Sequence, residues 1–235
     1  MAFWYPDNIA SCMGFFYCHC VHCVVTAGPT YEALDNVRRL TNFSTGRLGC
    51  EMARFLLSRG HEVTLLIGEQ ATYCGAREAS KTEVFSTTTD LQDRLHALSQ
   101  KPIGALFHAA AVSDFSFGKT WLRSPNGKLT EIKSGKLSTR SGTLLAELVP
   151  TKKIIGELRA WFPQTRIVGW KYEVDGDRCS VLAAARKQIQ ECRTDACVAN
   201  GPAYGKGFGL VKPGDNFEEI ADAGELFVAL ERLVS

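Results

Sequence analysis

The feature that most limits the fold of this chain is the regular alternation of short apolar runs with amphipathic helical segments after residue 21. Short apolar runs favour buried strands, and apolar residues spaced three and four apart favour helices. Strands that alternate with helices predict an α/β, Rossmann-like three-layer fold, with a mostly parallel sheet and helices on both faces. The predicted strands are VHCVVTAG, EVTLLIG, TEVFST, GALFHAAAV, RIVGWKYE and DACVAN, and the predicted helices are CEMARFLLSRG, LQDRLHALSQ, KKIIGELRAWF, DRCSVLAAARKQIQEC and EEIADAGELFVALERLV.

Two segments depart from this alternation. Residues 1–20 show neither helical nor strand periodicity, so we expect an N-terminal appendage of unknown role followed by a single domain at 21–235. Residues 115–142 are rich in Gly, Ser, Lys and Thr and have little periodicity, which predicts a functional flap. Thr151 is the predicted N-cap of the helix after that flap.

Composition excludes several classes of function. The 27 Lys and Arg nearly balance the 25 Asp and Glu, which gives no argument for nucleic acid or an anionic membrane as the main partner. No run approaches the roughly 18 apolar residues of a membrane span, and no signal-peptide pattern opens the chain. Several of the nine cysteines lie within apolar patterns, where a reduced Cys packs as a small hydrophobe. We predict a cytoplasmic, reduced protein.

A group of Cys and His residues at 18–23 invites a zinc interpretation. Structural zinc sites use spaced pairs of ligands with a distant second pair, which this group lacks. The group also runs into a predicted strand, whose side chains alternate between opposite faces. We therefore favour a strand with chance cysteines and predict no metal ligands in the protein.

The loops after the predicted strands are the candidate binding segments, because ligands of open parallel sheets bind beyond the carboxyl ends of the strands. In TNFSTGRLG, Gly46 and Gly49 allow close approach of the backbone to an anion. Ser44 and Thr45 offer hydroxyls, and the next helix offers its positive end. Asn42 can donate to an oxyanion without carrying charge. The alternative is a simple left-handed turn in front of a helix.

A dinucleotide site is the obvious competitor, since strand, glycines, helix and Glu69 imitate its fingerprint. In that fingerprint G-x-G-x-x-G follows the first strand at once, whereas here TAGPT holds one Gly and the pair Gly46 and Gly49 comes much later. The chain also lacks G-x-x-x-x-G-K-[ST], so a P-loop is not supported.

Several motifs together resemble phosphopantothenate-cysteine ligase, in order over residues 21–235 and without a preceding decarboxylase domain, as in a stand-alone ligase. The matching segments are VVTAGPTYEALDNVRRLTNFSTGRLG, HAAAVSDF, LVPTKKIIGELRAWFP, IVGWKYEVDG and DACVAN. The resemblance implies that 4'-phosphopantothenate attacks CTP or ATP, with Mg²⁺ carried by the triphosphate, and that L-cysteine displaces the nucleotide from the acyl-nucleotide. It also implies a homodimer. Such chemistry needs positioning and charge stabilisation rather than an enzymic nucleophile.

The resemblance assigns roles to particular residues. Asn42 matches the Asn that stabilises the acyl-nucleotide, and Arg38 the arginine of the substrate site. The implied nucleotide-binding residues are Gly28, Ser44, Gly46, Gly49, Ala110, Ala111, Asp114, Trp170 and Asn200. Core packing of Trp170 and of the two alanines, and a turn or cap role for Asp114, remain alternatives.

Two positions depart from the family pattern. The flap reads LTEIKSGKL, with Glu131 where the family places its first Lys, so Lys133 or Lys136, or Lys128, is the candidate for the phosphate contact. Trp170 replaces a Phe, which leaves the choice between CTP and ATP open. The alternatives to a ligase are an NAD(P)-dependent oxidoreductase and a non-catalytic nucleotide-binding regulatory module, the latter favoured only by Glu131.

Overall fold

The computed structural model describes residues 20–132, 138, 142–214 and 216–234. Its main sheet has eight strands in the order β13-β12-β11-β10-β6-β1-β4-β5. The strands of this sheet are β1 (His22–Ala27), β4 (Glu62–Gly68), β5 (Lys81–Phe85), β6 (Ala105–His108), β10 (Arg166–Tyr172), β11 (Ala196–Asn200), β12 (Phe208–Val211) and β13 (Phe217–Ile220). The helices are α1 (Arg47–Ser58), α2 (Thr88–Leu98), α3 (Ile154–Trp161), α4 (Arg178–Cys192) and α5 (Ala223–Glu231).

Six adjacent strands, from β11 to β5, run parallel, and β12 and β13 add an antiparallel edge. Strand order reverses between β1 and β6, since β4 and β5 lie on one side of β1 while β6, β10 and β11 lie on the other. This arrangement is the doubly wound order of a Rossmann-like sheet, so the predicted fold class is confirmed. The point of reversal is where such folds bind ligands.

Helices cover both faces of the sheet. Alternate residues of β1 separate the two sides, because Val25 packs in the core beneath α1 and α5 whereas Val24 packs beneath α2 and α3. Helix α4 covers the second face farther along, against β11 and β12. Cys23 and Cys197 are fully buried in these cores, as the sequence predicted for small apolar cysteines, and burial raises the pKa of both thiols to about 12. Among the described residues, no helix is long and apolar enough to cross a membrane.

The predicted flap contains strands that the sequence analysis did not predict. β7 (Phe115–Arg123) pairs antiparallel with β8 (Leu129–Glu131) and β9 (Thr143–Pro150) in a separate three-stranded sheet. None of the side chains in these three strands is fully buried, so neither face carries the apolar alternation that marks a strand in a sequence. Residues 1–19 lie outside the described part of the chain. The division into an appendage at 1–20 and a single domain at 21–235 stays a prediction.

Three further local predictions were wrong. A hairpin of β2 (Tyr31–Ala33) and β3 (Arg39–Thr41) lies in the connection between β1 and α1, where a loop was expected. The final helix begins after Asp222, whose carboxylate caps Glu225, because residues 217–220 form β13 instead. Thr151 does not cap α3: its hydroxyl donates to the carbonyl of Ser113 at 2.6 Å, and the cap position is Lys153.

Glycines set the spacing between α1 and the end of β1. A Cβ at Gly49 would lie 2.5 Å from the Cβ of Ala27. Gly46, the N-cap of α1 with φ 80°, would place a Cβ 2.9 Å from Ile67 and 3.3 Å from the Cα of Gly28. The first turn of the helix therefore lies directly against the sheet. Side chains at positions 46 and 49 would prevent so close an approach.

We predict that Gly49→Ala destabilises the protein by about 1–3 kcal/mol, because the added methyl has no room and the neighbouring backbone cannot yield. Gly156→Ala is the matched control: it lies in α3 with no atom within 4 Å of its added Cβ, so it should stabilise by roughly 0.5–1 kcal/mol. Urea unfolding midpoints measure both effects. Equal midpoints for Gly49→Ala and the wild type would contradict the tight contact.

Candidate functional site

The point where strand order reverses is closed by main-chain bonds that prolong β1 and β6. The amide of Ala111 donates to the carbonyl of Gly28 at 3.0 Å, and the amide of Thr30 donates back to the carbonyl of Ala111 at 3.1 Å. Gly28 makes this path possible, because its φ is 78° and a Cβ there would lie 2.8 Å from that of Ala71. The predicted residues Gly28 and Ala111 are thus directly joined.

Helix α1 points its amino end at this junction. Its first turn reads Arg47, Leu48, Gly49 and Cys50, without an acidic residue, and its N-cap, Gly46, has no side chain. The hydroxyl of Thr45 accepts the amide of Arg47 at 3.2 Å, and the positive dipole end and the next amides of the turn are available to an anion. Ser44, half-buried, and Thr45, exposed, lie in the loop just before Gly46, and their role in a phosphate cradle stays a prediction.

Asn42 reaches the same junction by its side chain. Its Nδ2 donates to the carbonyl oxygen of Ala111 at 3.1 Å and to that of Val112 at 3.3 Å. These bonds fasten the end of β3 to the segment that follows β6. Both donors of the amide group are engaged by backbone, so a phosphoryl oxygen must displace one carbonyl to be contacted by Nδ2.

A pocket of about 170 Å³ opens beside this junction, beyond the carboxyl ends of β6 and β10. Three of the implied nucleotide-binding residues, Ala110, Asp114 and Trp170, line it. The pocket also contains three lysines that the sequence analysis did not single out, namely Lys152 and Lys153 before α3 and Lys171 on β10. Lys171 is paired with Glu173 at 3.2 Å, whereas the two lysines before α3 are exposed. The three cations give the pocket the charge that a polyphosphate requires.

Trp170 and Asn200 each carry a buried polar atom, Nε1 and Oδ1, with no hydrogen-bond partner among the described residues. They lie on the neighbouring strands β10 and β11, near the carboxyl ends of both. Trp170 also packs against the core beneath α1, so it is partly the core residue of the alternative interpretation. Unpaired buried polar atoms are rare in folded proteins, which makes these two atoms candidate ligand contacts.

Gln188 of α4 closes the inner wall of the pocket. Its Nε2 donates to the carbonyl of Trp170 at 3.3 Å, and its Oε1 would lie 2.3 Å from a Cβ at position 169. Gly169 therefore leaves the space that the amide group of Gln188 occupies. A glutamine within a long amphipathic helix gives no sequence signal that it lines a pocket, so the sequence did not predict this role of Gln188.

His108 ends β6 at the pocket and is fully enclosed. Thr26 Oγ1 lies 3.0 Å from its Nδ1 and accepts the amide hydrogen of Ala110 at 3.1 Å. Burial lowers the pKa of His108 to about 4, so the ring is neutral at physiological pH. The lining of the pocket therefore carries its positive charge on lysines and not on this histidine.

Among the described residues, neither Arg38 nor Glu131 of the flap belongs to the lining of the pocket. Arg38 occupies the turn between β2 and β3, where its guanidinium lies 3.5 Å from the carboxylate of Asp35. Glu131 on β8 pairs with Lys119 at 3.4 Å, which offsets the carboxylate charge that the sequence analysis identified. Lys128 lies in the β7–β8 turn, and Lys133 and Lys136 lie outside the described residues.

The fold and the site together define a Rossmann-like α/β protein whose candidate site combines glycine-supported main chain, a neutral amide side chain and lysines, groups that suit an anion. Residues 19–217 match the model of the DNA/pantothenate metabolism flavoprotein C-terminal domain family. The chain belongs to this family. The predicted relationship to phosphopantothenate-cysteine ligase is thereby confirmed at the level of the family.

Individual relatives agree with this assignment. The chain is 34% identical over 178 residues to the coenzyme A biosynthesis bifunctional protein CoaBC of Thermococcus kodakarensis, covering 75% of this chain and 40% of the relative. A crystal structure of the DNA/pantothenate metabolism flavoprotein from Streptococcus pneumoniae is 25% identical with a TM-score of 0.79, covering 91% of this chain and 98% of that one. A Cab2 H337A mutant, in complex with phosphopantothenate-cysteine, shares the fold at 19% identity and TM-score 0.66, covering 91% and 87%. The chain spans about half or less of the CoaBC relatives it matches.

We predict that the buried neutral His108 makes the protein sensitive to acid. Its pKa is about 4 when folded and 6.5 when unfolded, so between these values the unfolded chain binds a proton that the folded chain does not. Stability is therefore lost as pH falls from 6.5 towards 4, by about 3 kcal/mol from this residue. His108→Gln should flatten the pH dependence of the unfolding free energy in this range. The exposed His96→Gln is the control, and parallel curves for His108→Gln and the wild type would contradict the burial.

Proposed function

We propose that the chain is a ligase that joins 4'-phosphopantothenate to L-cysteine through an acyl-nucleotide, using CTP or ATP, in cytoplasmic coenzyme A biosynthesis. Family membership supports the reaction class. The structural observation that supports the proposal most is that the amino end of α1, without an acidic residue in its first turn, meets the β1–β6 junction beside a pocket that contains three lysines. The oxidoreductase alternative lacks such support, since its glycine fingerprint is absent from the first loop.

In the proposed first step a carboxylate oxygen of 4'-phosphopantothenate attacks the α-phosphorus of the nucleotide, and pyrophosphate leaves. Lys152 and Lys153 are exposed at the start of α3 and are free to follow the departing phosphates, and Lys171 adds a charge from β10. Mg²⁺ enters with the triphosphate. The phosphates of the nucleotide would hold this Mg²⁺, and Asp114, the one carboxylate among the described lining residues, is a proposed contact of the nucleotide.

In the proposed second step the amine of L-cysteine attacks the acyl carbon, loses a proton, and releases the nucleoside monophosphate. The protein supplies orientation and charge stabilisation rather than a covalent partner. We assign stabilisation of the acyl-nucleotide to Asn42, which exchanges its longer bond, to the Val112 carbonyl, for a phosphoryl oxygen. Its shorter bond to Ala111 then keeps the amide oriented. Arg38 is the proposed contact for the substrate.

The neutral atoms Trp170 Nε1 and Asn200 Oδ1 are proposed contacts for the nucleotide. A donor and an acceptor on neighbouring strands can recognise the polar atoms of a base or ribose. Neither group is charged, so discrimination between the bases depends on hydrogen-bond direction and shape. Steady-state rates with CTP and with ATP identify the base that fits.

The function predicts that sustained pyrophosphate release requires 4'-phosphopantothenate, L-cysteine and one nucleoside triphosphate together. A coupled pyrophosphate assay with each component omitted in turn measures this requirement. Nucleotide binding without turnover under any combination would instead support the regulatory module, and NADH or NADPH consumption would support the oxidoreductase. The same assay is the background for the variant that follows.

Asn42→Ala should lower the rate of ligation about 10²–10³-fold, the usual cost of losing one donor to a developing oxyanion. Nucleotide affinity should change little, because the lysines and main-chain groups remain. Asn216→Ala, an exposed asparagine in the β12–β13 turn, is the matched control and should keep the wild-type rate. An unchanged rate for Asn42→Ala would remove this residue from the mechanism.

We propose a homodimer in which exposed apolar side chains around the site form the contact. Phe43, directly after Asn42, is fully exposed, and Val37 of the hairpin is 61% exposed. Phe115 and Leu148, on the flap sheet, are also exposed, and the hairpin lies against that sheet. Apolar surface gathered in this manner marks interfaces.

Phe43→Ser should therefore shift the protein from twice the chain mass to the monomer mass in light scattering after gel filtration, because a large apolar contact is lost. Val84→Ser, on the distant edge strand β5 and 51% exposed, is the control that keeps the dimer. A wild-type protein that elutes as a monomer at micromolar concentration would refute the proposal.

A further inference from the structure

A second cavity, of about 310 Å³, lies between the last turns of α4 and the turn that joins β12 to β13. Thr194, two residues before the start of β11, forms part of its lining. The cavity is therefore at the amino-terminal edge of the sheet, whereas the candidate ligase site lies beyond the carboxyl ends of the strands. Nothing in the proposed reaction uses this position.

The charge of this cavity is strongly positive. Arg186, Arg193 and Lys212 line it, and none of the lining side chains in the described residues is acidic. The carboxylate of Glu218 lies 3.8 Å from Lys212 but is also shared with Arg232 at 3.4 Å. The carboxyl end of α4 contributes roughly half a negative charge here, which three cations outweigh. The net field favours an anion.

Two buried groups of the cavity lack partners among the described residues. Arg186 Nε and Thr194 Oγ1 are buried atoms without a hydrogen-bond partner among the described residues. Thr194 as a whole is only 3% exposed. A guanidinium can only donate, and a hydroxyl can donate as well. Burying such donors unpaired is costly, and one oxygen-rich anion between the two side chains would satisfy both.

Backbone strain is also stored at this cavity. Arg193 has φ 54°, the only positive φ among the described residues other than glycine. It occupies the position after α4 where glycine is the usual residue, because a Cβ is disfavoured in the left-handed region. A glycine would relieve the backbone but would remove one of the three cations that line the cavity.

We propose that this cavity binds a small multivalent oxyanion of the phosphate class at a site separate from the ligase site. Arg186, Arg193 and Lys212 supply the charge, and Thr194 supplies a neutral donor at the floor. Ile189 and Pro213 line the cavity as well and offer apolar contact to the organic part of a phosphate monoester. A free phosphate would use the polar groups alone.

The test is a titration of the full chain with inorganic phosphate and, separately, with glycerol 3-phosphate, both at constant ionic strength. The ¹⁵N–¹H NMR signals of Arg193 and Thr194 are recorded at each ligand concentration. Saturable shifts of these signals are expected. Tighter binding of glycerol 3-phosphate assigns the site to monoesters, and equal or weaker binding assigns it to free phosphate. Because the signals report on this cavity alone, the result does not depend on ligase activity.

Arg186→Gln and Thr194→Val should each weaken binding about tenfold or more, the usual loss for one hydrogen bond to a charged group. Lys187→Gln is the matched control, since it removes one charge from the same helix at a residue paired with Glu191 instead. It should change the affinity less than about twofold. An equal loss of affinity in Lys187→Gln would show that the effect is one of surface charge and would overturn the proposal. Wild-type affinity in both cavity variants, or the absence of a saturable shift in the wild type, would overturn it as well.

Stability separates a binding role from a folding role. Without phosphate, Thr194→Val and Arg193→Gly should melt at the wild-type temperature or above it, because the first removes an unpaired hydroxyl and the second removes strain. With phosphate, the wild type should gain melting temperature and both variants should gain much less. A fall in the melting temperature of both variants without phosphate would show that these residues serve the fold and would overturn the site.

Discussion

The contact between the first turn of α1 and the end of β1 is the constraint on which the site depends. Gly28, Gly46 and Gly49 leave no room for a Cβ, so the helix begins against the sheet and its amino end lies at the β1–β6 junction. Helix N-terminal fields act over short distances, within about the first turn. A helix displaced by one side chain would hold an anion less tightly without losing its fold.

The same physical requirement is met in dinucleotide-binding folds by glycines that follow the first strand at once. Here the requirement is met by glycines far apart in sequence, because the β2–β3 hairpin is inserted between them. The insertion carries Asn42 back to the junction, where it bonds the carbonyls of Ala111 and Val112. The hairpin thus places an uncharged polar side chain at the junction. A short loop made of glycines has no side chain to place there.

The parts of the fold that could be predicted are those buried from two sides. Strands such as β1 and β4 have almost wholly buried residues and gave continuous apolar runs, and α1 gave a clear apolar stripe. Strands β7 and β9 bury little, so no pattern of alternation marks them. The start of α5 was misplaced although Asp222 and Glu225 form a capping pattern, because apolar residues at helical spacing extend upstream into β13.

The residues of the candidate site also fall into those that the sequence could predict and those that it could not. Glycines and Asn42 could be identified because their residue types are unusual in a loop before a helix. Lys152 and Lys153 could not, since exposed lysines at a helix start resemble ordinary solvated charges. The unpaired atoms of Trp170 and Asn200 have no signature in the sequence, because being unpaired is a property of the packed neighbours.

Charge is distributed in the pocket according to the cost of burial. Buried His108 is neutral, and the buried polar atom of Trp170 belongs to an uncharged group, whereas Lys152 and Lys153 remain exposed. An unpaired buried lysine would have to be desolvated before any ligand arrived, at a cost of several kcal/mol. Cations in solvent avoid that cost and still attract a polyphosphate, and in the proposed reaction water would replace their contacts when pyrophosphate leaves. A pocket that binds and releases highly charged groups, as the proposed function requires, is therefore best built with its charges exposed and its neutral polar groups buried.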